Sequence, residues 1–125
     1  MIFRSRIEHL VAKIRSGERR GYSGRVFTDV VNIGIGGSDL GPRLVTGALS
    51  PLAERSIKAH YVANVDPTDL GDTLANLDPA TTLLVICSKT FTTEETLCNA
   101  TAARSWLQAG AGATDISAQI GRAHV

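Results

Sequence analysis

The stretch TLLVICSKTFTTEET, residues 82–96, contains the change of pattern that decides the fold. Thr82–Cys87 is a short apolar run of the kind that forms a strand buried on both faces of a parallel sheet. Polar residues follow it, and from about residue 93 apolar side chains recur at helical spacing. A buried strand, a polar loop and a helix in this order are typical of α/β proteins, whose ligands bind outside the carboxyl ends of the strands.

The loop between this strand and this helix, Ser88–Thr93 (the hydroxyl loop), is rich in hydrogen-bond donors. Four of its residues carry hydroxyl groups and one carries a cation: Ser88, Thr90, Thr92, Thr93 and Lys89. The first amides of a helix lack intrahelical partners and carry the positive end of the helix dipole. Such amides together with hydroxyls suit a phosphate dianion, so the pattern predicts a phosphate-binding loop. The alternative is an ordinary helix cap, in which Thr92 and Glu95 form a capping box.

A second strand, loop and helix unit lies earlier in the chain, around Gly34–Ser38 (the glycine loop). Asp29–Ile35 is a short apolar run that predicts a central parallel strand, and a helix is predicted over residues 40–49. The glycines let the backbone approach a ligand and take positive φ, while Ser38 or Asp39 is suited to cap the helix. A dinucleotide site is disfavoured because its fingerprint needs a third glycine at position 39, which is Asp39 here.

The remaining segments continue this alternation of strands and helices. The pattern predicts helices at about residues 3–16, 67–77 and 93–108, and a strand at 57–62. Asp66 and Pro67 predict the start of the third helix, as its N-cap and first residue. Three leucines form the stripe that this helix should bury: Leu70, Leu74 and Leu77. Three strands that alternate with helices predict an α/β sandwich with a mostly parallel sheet, and residues 113–125 complete no unit that the pattern identifies.

Composition narrows the classes of function. A chain of 125 residues, 43% hydrophobic and 20% charged, is ordinary for one soluble domain. The 13 basic and 12 acidic residues are interspersed, so we expect no nucleic-acid or membrane partner. We find neither a signal peptide nor a run near the roughly 18 apolar residues of a membrane span. Cys87 and Cys98 fit a reduced, cytoplasmic chain. His60 has no second ligand at metal spacing, and we expect neither a metal nor a cofactor.

Two motifs carry a resemblance to a known family. Val30–Pro42, which reads VVNIGIGGSDLGP, and Ser88–Thr96 closely resemble the glucose-6-phosphate isomerase family. The resemblance covers about residues 10–110 and lies within the first sugar-isomerase (SIS) domain of an enzyme several times longer. It implies a three-layer αβα sandwich, SIS-like and flavodoxin-like, that is incomplete in this chain. It also implies that Gly37 and Ser38 contact the sugar. The implied phosphate anchors are Ser88, Lys89 (through its backbone amide), Thr90 and Thr93.

The resemblance further implies a reaction, the interconversion of glucose 6-phosphate and fructose 6-phosphate by proton transfer between C1 and C2 through an enediol. The catalytic carboxylate, arginine, histidine and lysine of the family lie further along its chain, so we expect no catalytic residue here and little activity from this chain alone. The family also implies a cytoplasmic homodimer. The alternative is a non-catalytic SIS module that binds a sugar phosphate. The resemblance fades after residue 112, and we expect residues 113–125 to be foreign to the family.

Overall fold

A computed structural model describes residues 2–54 and 56–123 of the chain. Within these ranges the helices and strands alternate, as the sequence predicts. The elements are α1 (Ile2–Arg15), β1 (Asp29–Ile33), α2 (Gly37–Leu49), β2 (Lys58–Val62), α3 (Pro67–Ala75), β3 (Thr82–Cys87), α4 (Glu94–Ala111) and β4 (Ile120–Ala123). None of the helices in this part of the chain is long and apolar enough to cross a membrane.

The strands form one parallel sheet in the order β2-β1-β3-β4. In register, Asp29 of β1 lies between Lys58 of β2 and Thr82 of β3. The chain leaves β1 toward β2 and then returns across β1 to β3, so the direction of the connections reverses between β1 and β3. Because such crossovers are right-handed, α2 covers one face of the sheet, and α3 and α4 cover the other. The predicted α/β sandwich is confirmed.

The fourth strand corrects the prediction of three strands with no further element after residue 112. Ile120–Ala123 pairs parallel with β3, from Leu84 opposite Ile120 to Cys87 opposite Ala123. The strand is only four residues long and includes a glycine and an arginine, so it lacks the apolar pattern of the other strands. Its partner β3 is buried and supplies the pairing, which local sequence does not reveal. Residues 124 and 125 lie outside the described part of the chain.

Gln119 explains why the chain is held in place just before β4. Its side chain is fully buried. Oε1 accepts a hydrogen bond from the Tyr22 amide at 2.9 Å, and Nε2 donates to the carbonyls of Pro79 (2.8 Å) and Thr82 (2.7 Å). A buried amide with three partners compensates its own desolvation. It therefore fastens the segment ahead of β4 to β3 and to the loop ahead of β1.

The hydrophobic core lies between the sheet and the α3 and α4 layer. Its buried members are Val31, Ile33, Val62, Leu70, Leu74, Leu84, Ala103, Leu107 and Ile116. Leu77 and Trp106 are partly buried and pack against this core. The predicted apolar stripe of α3 is therefore confirmed.

The opposite face of the molecule is only partly covered. The predicted helices α1 and α2 are present, but their apolar stripes are largely exposed to solvent. On α2 the exposed fractions are 65% for Leu40, 72% for Leu44 and 57% for Val45. On α1 they are 48% for Ile7 and 44% for Leu10. Exposed apolar stripes on two helices of one chain form a surface that favours association.

Candidate functional site at the sheet switch point

The glycine loop and the hydroxyl loop meet at the point where the strand order reverses. Ile33, the last residue of β1, lies opposite Ile86 of β3, and each loop follows its strand at the same edge of the sheet. In open parallel sheets ligands bind in the crevice at such a switch point. The structure thus brings together the two loops that contain every sequence-predicted site residue.

Helix α2 begins inside the glycine loop, earlier than the sequence predicted. Gly36 is the N-cap residue, with φ of 61°, and its carbonyl accepts hydrogen bonds from the amides of Asp39 (3.0 Å) and Leu40 (2.9 Å). No side chain caps this helix, so the interpretation of Ser38 or Asp39 as the cap is wrong. Glycine takes this left-handed conformation without strain, and the backbone alone makes the turn. Gly37 and Ser38 therefore lie in the first turn, at the positive end of the helix dipole.

Asp39 places a buried carboxylate in this first turn, with its charge compensated. The residue is 4% exposed. Arg43, one turn further on, donates from Nε to both Asp39 carboxylate oxygens at 3.2 Å and from Nη2 to Oδ1 at 2.9 Å. The Arg43 guanidinium also lies 5.1 Å from the centre of the Tyr61 ring. Because Arg43 neutralises Asp39, a negative charge in this turn does not repel an anion at the helix N-terminus. The i, i+4 spacing of Asp39 and Arg43 was a readable signal of this pair.

The hydroxyl loop is shaped by its own side chains. The Ser88 hydroxyl, in a residue that is 4% exposed, accepts a hydrogen bond from the Phe91 amide at 3.0 Å. Phe91 has a positive φ of 54°, the left-handed conformation that residues with a side chain seldom adopt and that recurs at functional sites. The hydroxyls of Thr90 and Thr92 lie 2.7 Å apart, and the Thr92 amide donates to Thr90 Oγ1 at 3.3 Å. These bonds turn the loop sharply between β3 and α4.

Thr93 is the N-cap residue of α4, but its side chain makes no capping hydrogen bond. The capping-box interpretation of Thr92 and Glu95 is therefore wrong. The backbone carbonyl of Thr93 accepts the first helical hydrogen bond, from the Leu97 amide at 3.0 Å. Lys89 is exposed at the rim of the loop. The hydroxyls of this loop thus exceed what the helix end needs, which is the condition for a ligand-binding role.

Asn32 is a residue of the site that sequence reasoning missed. It lies on β1 and is 8% exposed. Its Nδ2 donates to the Ser38 carbonyl at 3.1 Å, and its Oδ1 accepts from the Cys87 thiol at 3.0 Å. Burial raises the pKa of the Cys87 thiol, so the thiol keeps the proton that it donates. One side chain thus links the first turn of α2 to the end of β3.

The remaining titratable candidate, His60, lies away from both loops. Its Nε2 is 2.8 Å from Oδ1 of Asp29 on the neighbouring strand. This agrees with the interpretation of His60 as a satisfied residue. Among the residues that the structure describes, no three His, Cys, Asp or Glu side chains are grouped so that they could hold a metal ion.

The fold and the two loops define an α/β domain of the kind that binds its ligand at a topological switch point. The chain belongs to the phosphoglucose isomerase family, whose model matches residues 2–121. It is 57% identical over 100 residues to a glucose-6-phosphate isomerase of Desulforapulum autotrophicum, covering 80% of this chain and 18% of that protein. It is 54% identical over 105 residues to one of Chlorobium phaeobacteroides, covering 84% and 19%.

Solved structures give the same family. A glucose-6-phosphate isomerase from Chlamydia trachomatis superimposes with a TM-score of 0.71 at 31% identity, covering 77% of this chain and 18% of that one. A hypothetical protein from Thermus thermophilus gives 0.62 at 38% identity, covering 69% and 20%. The chain thus spans less than a fifth of the curated relatives described above.

Proposed function

We propose that the chain is part of a glucose-6-phosphate isomerase and that its two loops bind the sugar phosphate substrate. The observation that carries the proposal is the adjacency of β1 and β3, which brings the glycine loop and the hydroxyl loop to one switch point. The relatives that bear this enzyme name supply the substrate class.

The two loops would divide the substrate between them. Gly37 and Ser38, in the first turn of α2, contact the sugar. The phosphate binds at the N-terminus of α4, to four residues of the hydroxyl loop: Ser88, Lys89 through its amide, Thr90 and Thr93. A dianion at a helix N-terminus accepts hydrogen bonds from amides and hydroxyls and is favoured by the helix dipole. The compensated charge of Asp39 supports this arrangement.

The chemistry itself would come from residues outside this chain. Interconversion of an aldose and a ketose phosphate requires a base that moves a proton between C1 and C2, and general acid–base catalysis contributes about 10²- to 10⁴-fold. We propose that this base and its partners lie elsewhere in a longer, cytoplasmic, homodimeric protein. The loops described here then position the substrate for that base.

The end of the chain is a separate proposal. We infer that the family sequence departs from this chain after residue 112, although the family model extends to residue 121 and β4 completes a strand there. The genomic reading frame across codons 113–125 tests this directly. A frame that continues as this chain does, in several close homologues, would contradict it.

The function is tested by a coupled assay with fructose 6-phosphate. The full-length protein that contains this sequence is expected to isomerise it, with inorganic phosphate as a competitive inhibitor. The 125-residue chain alone is expected to give turnover at least about 10²-fold lower, because it lacks the base. A full-length protein that binds fructose 6-phosphate without turning it over would contradict the proposal and favour a non-catalytic binding module.

A further inference from the structure

The carbonyl of Ser38 has lost its normal partner inside α2. In an α-helix a carbonyl accepts from the amide four residues later. For Ser38 that residue is Pro42, which has no N–H and whose ring crowds the carbonyl of residue i−4. Asn32 supplies the missing donor from β1, with 3.1 Å between its Nδ2 and the Ser38 carbonyl oxygen.

The orientation of the Asn32 amide follows from its two partners. A backbone carbonyl can only accept, so the atom facing Ser38 is the NH₂ group. The amide oxygen then faces the Cys87 thiol at 3.0 Å, where it accepts the thiol proton. Both bonds are inside the fold, since Asn32 is 8% exposed and Cys87 5% exposed.

We propose that Asn32 is a positioning residue, which sets where the first turn of α2 lies relative to the hydroxyl loop. The inference rests on the proposed function, because it concerns the same site. Cys87 directly precedes the hydroxyl loop, and Ser38 is the residue assigned to the sugar. Without the bridge, the sugar-contacting turn is no longer held at a fixed distance from the phosphate-binding loop. The hydroxyl loop keeps its own bond between Ser88 and Phe91.

The test uses the full-length protein, with Asn32→Asp as the first variant. This change keeps the shape of the side chain but removes the donor to Ser38. We expect the KM for fructose 6-phosphate to rise about tenfold or more, the effect of losing one buried hydrogen bond. The inhibition constant of inorganic phosphate, which needs only the hydroxyl loop, is expected to stay within about twofold of the parent value.

A second variant, Asn32→Asp/Pro42→Ala, separates positioning from folding. Alanine at position 42 restores an N–H for the Ser38 carbonyl inside the helix, so it relieves the stability loss without rebuilding the link to β3. We expect the thermal midpoint to recover while the KM stays raised. Recovery of the KM together with stability would overturn the proposal, because the role of Asn32 would then be structural only.

Asn99→Asp is the matched control. Asn99 is equally buried and donates Nδ2 to a backbone carbonyl, that of Asn64 at 2.7 Å, rather than to a residue of either loop. We expect this variant to lose stability with little change in KM. An unchanged KM in Asn32→Asp, an equal rise in KM in Asn99→Asp, or a parallel loss of inorganic phosphate binding in Asn32→Asp would each overturn the proposal.

If Asn32→Asp does not fold, Cys87 decides the question. Cys87→Ala removes the thiol end of the bridge, and Cys87→Ser keeps a donor there. We expect the alanine variant to raise the KM and the serine variant to remain closer to the parent, whereas equal KM values would overturn the proposal. A parent protein with no turnover and no affinity for fructose 6-phosphate would overturn the proposed function, and this inference with it.

Discussion

Gly34 packs against the backbone of Cys87 so closely that a Cβ atom at position 34 would lie 3.0 Å from the Cys87 carbonyl oxygen. The same atom would lie 2.9 Å from both the Cβ and the carbonyl oxygen of Ser38. Glycine is therefore required where β1 ends, because any side chain would push the first turn of α2 away from the end of β3. The contact fixes how close the two loops can come.

This contact predicts that Gly34→Ala destabilises the chain. Two of the three close atoms belong to backbone carbonyls, which cannot move aside as a side chain can, so we expect a cost of about 1 to 3 kcal/mol. Gly47→Ala is the control, because Gly47 lies inside α2 with open space around it and alanine there should stabilise by up to about 1 kcal/mol. Urea unfolding at low protein concentration gives both values. Equal stabilities for the two variants would contradict the packing argument.

The exposed stripe of α2 predicts that the 125-residue chain associates with itself when it is concentrated. Leu40, Leu44 and Leu52 are 65%, 72% and 83% exposed, on or just after one helix. Burying such side chains removes apolar area from water and drives association. The triple change to glutamine is expected to give a monomer by size-exclusion chromatography with light scattering. Leu97→Gln on α4 is the control, and a monodisperse parent chain would contradict the prediction.

Asp29 predicts how stability depends on pH. Burial alone would raise the pKa of Asp29, but hydrogen bonds from Thr28 and His60 and the charges of His60 and Lys58 hold it below the ordinary value of 3.8. A carboxyl whose pKa is lower in the folded state stabilises the fold above the unfolded pKa, and this contribution is lost as the pH falls through the folded value. The stability difference between the parent and Asp29→Asn is therefore expected to narrow below about pH 4.

The measurement for this third prediction is urea unfolding of both chains at several pH values between 2 and 6. Asp72→Asn, an exposed change on α3, is the control and should alter stability by no more than about 0.5 kcal/mol. A difference between the parent and Asp29→Asn that widens on acidification would show that the carboxyl is not stabilised by its neighbours.

Much of this fold was readable from the sequence because local chemistry agrees with it. The predicted bounds of β3, Thr82–Cys87, match the structure, since an apolar run is flanked by polar residues. The start of α3 was also readable, because the side chain of Asp66 accepts from the Thr68 amide and Pro67 follows it directly. In both cases the signal lies within a few residues.

The features that were missed depend on distant partners. β4 forms because β3 offers it a free edge, and Gln119 is buried through bonds to Tyr22, Pro79 and Thr82. The role of Asn32 required knowing that Cys87 lies beside it, although Pro42 four residues after Ser38 already indicated a carbonyl in need of a donor. A sequence pattern predicts an apolar face, but it does not tell what covers that face, as the exposed α2 stripe demonstrates.

The central claim, that the hydroxyl loop binds the phosphate group, is tested most directly by inorganic phosphate and fructose 6-phosphate titrations of three variants of the full-length protein. Thr90→Ala/Thr93→Ala removes two hydroxyls that donate to a charged group, each worth roughly 1.5 to 3 kcal/mol, so the loss of about 3 to 6 kcal/mol should abolish detectable binding. Lys89→Met keeps the backbone amide and should cost about 1 kcal/mol, the effect of a screened surface charge.

Thr101→Ala is the matched control, because its hydroxyl is exposed on α4 and donates to the Leu97 carbonyl at 2.8 Å. It should leave both affinities unchanged. The account predicts that the double threonine variant loses binding while Lys89→Met retains it within about fivefold. If Lys89→Met loses binding and the double threonine variant keeps it, the loop is a charge clamp, and the assignment of phosphate recognition to the threonine hydroxyls is contradicted.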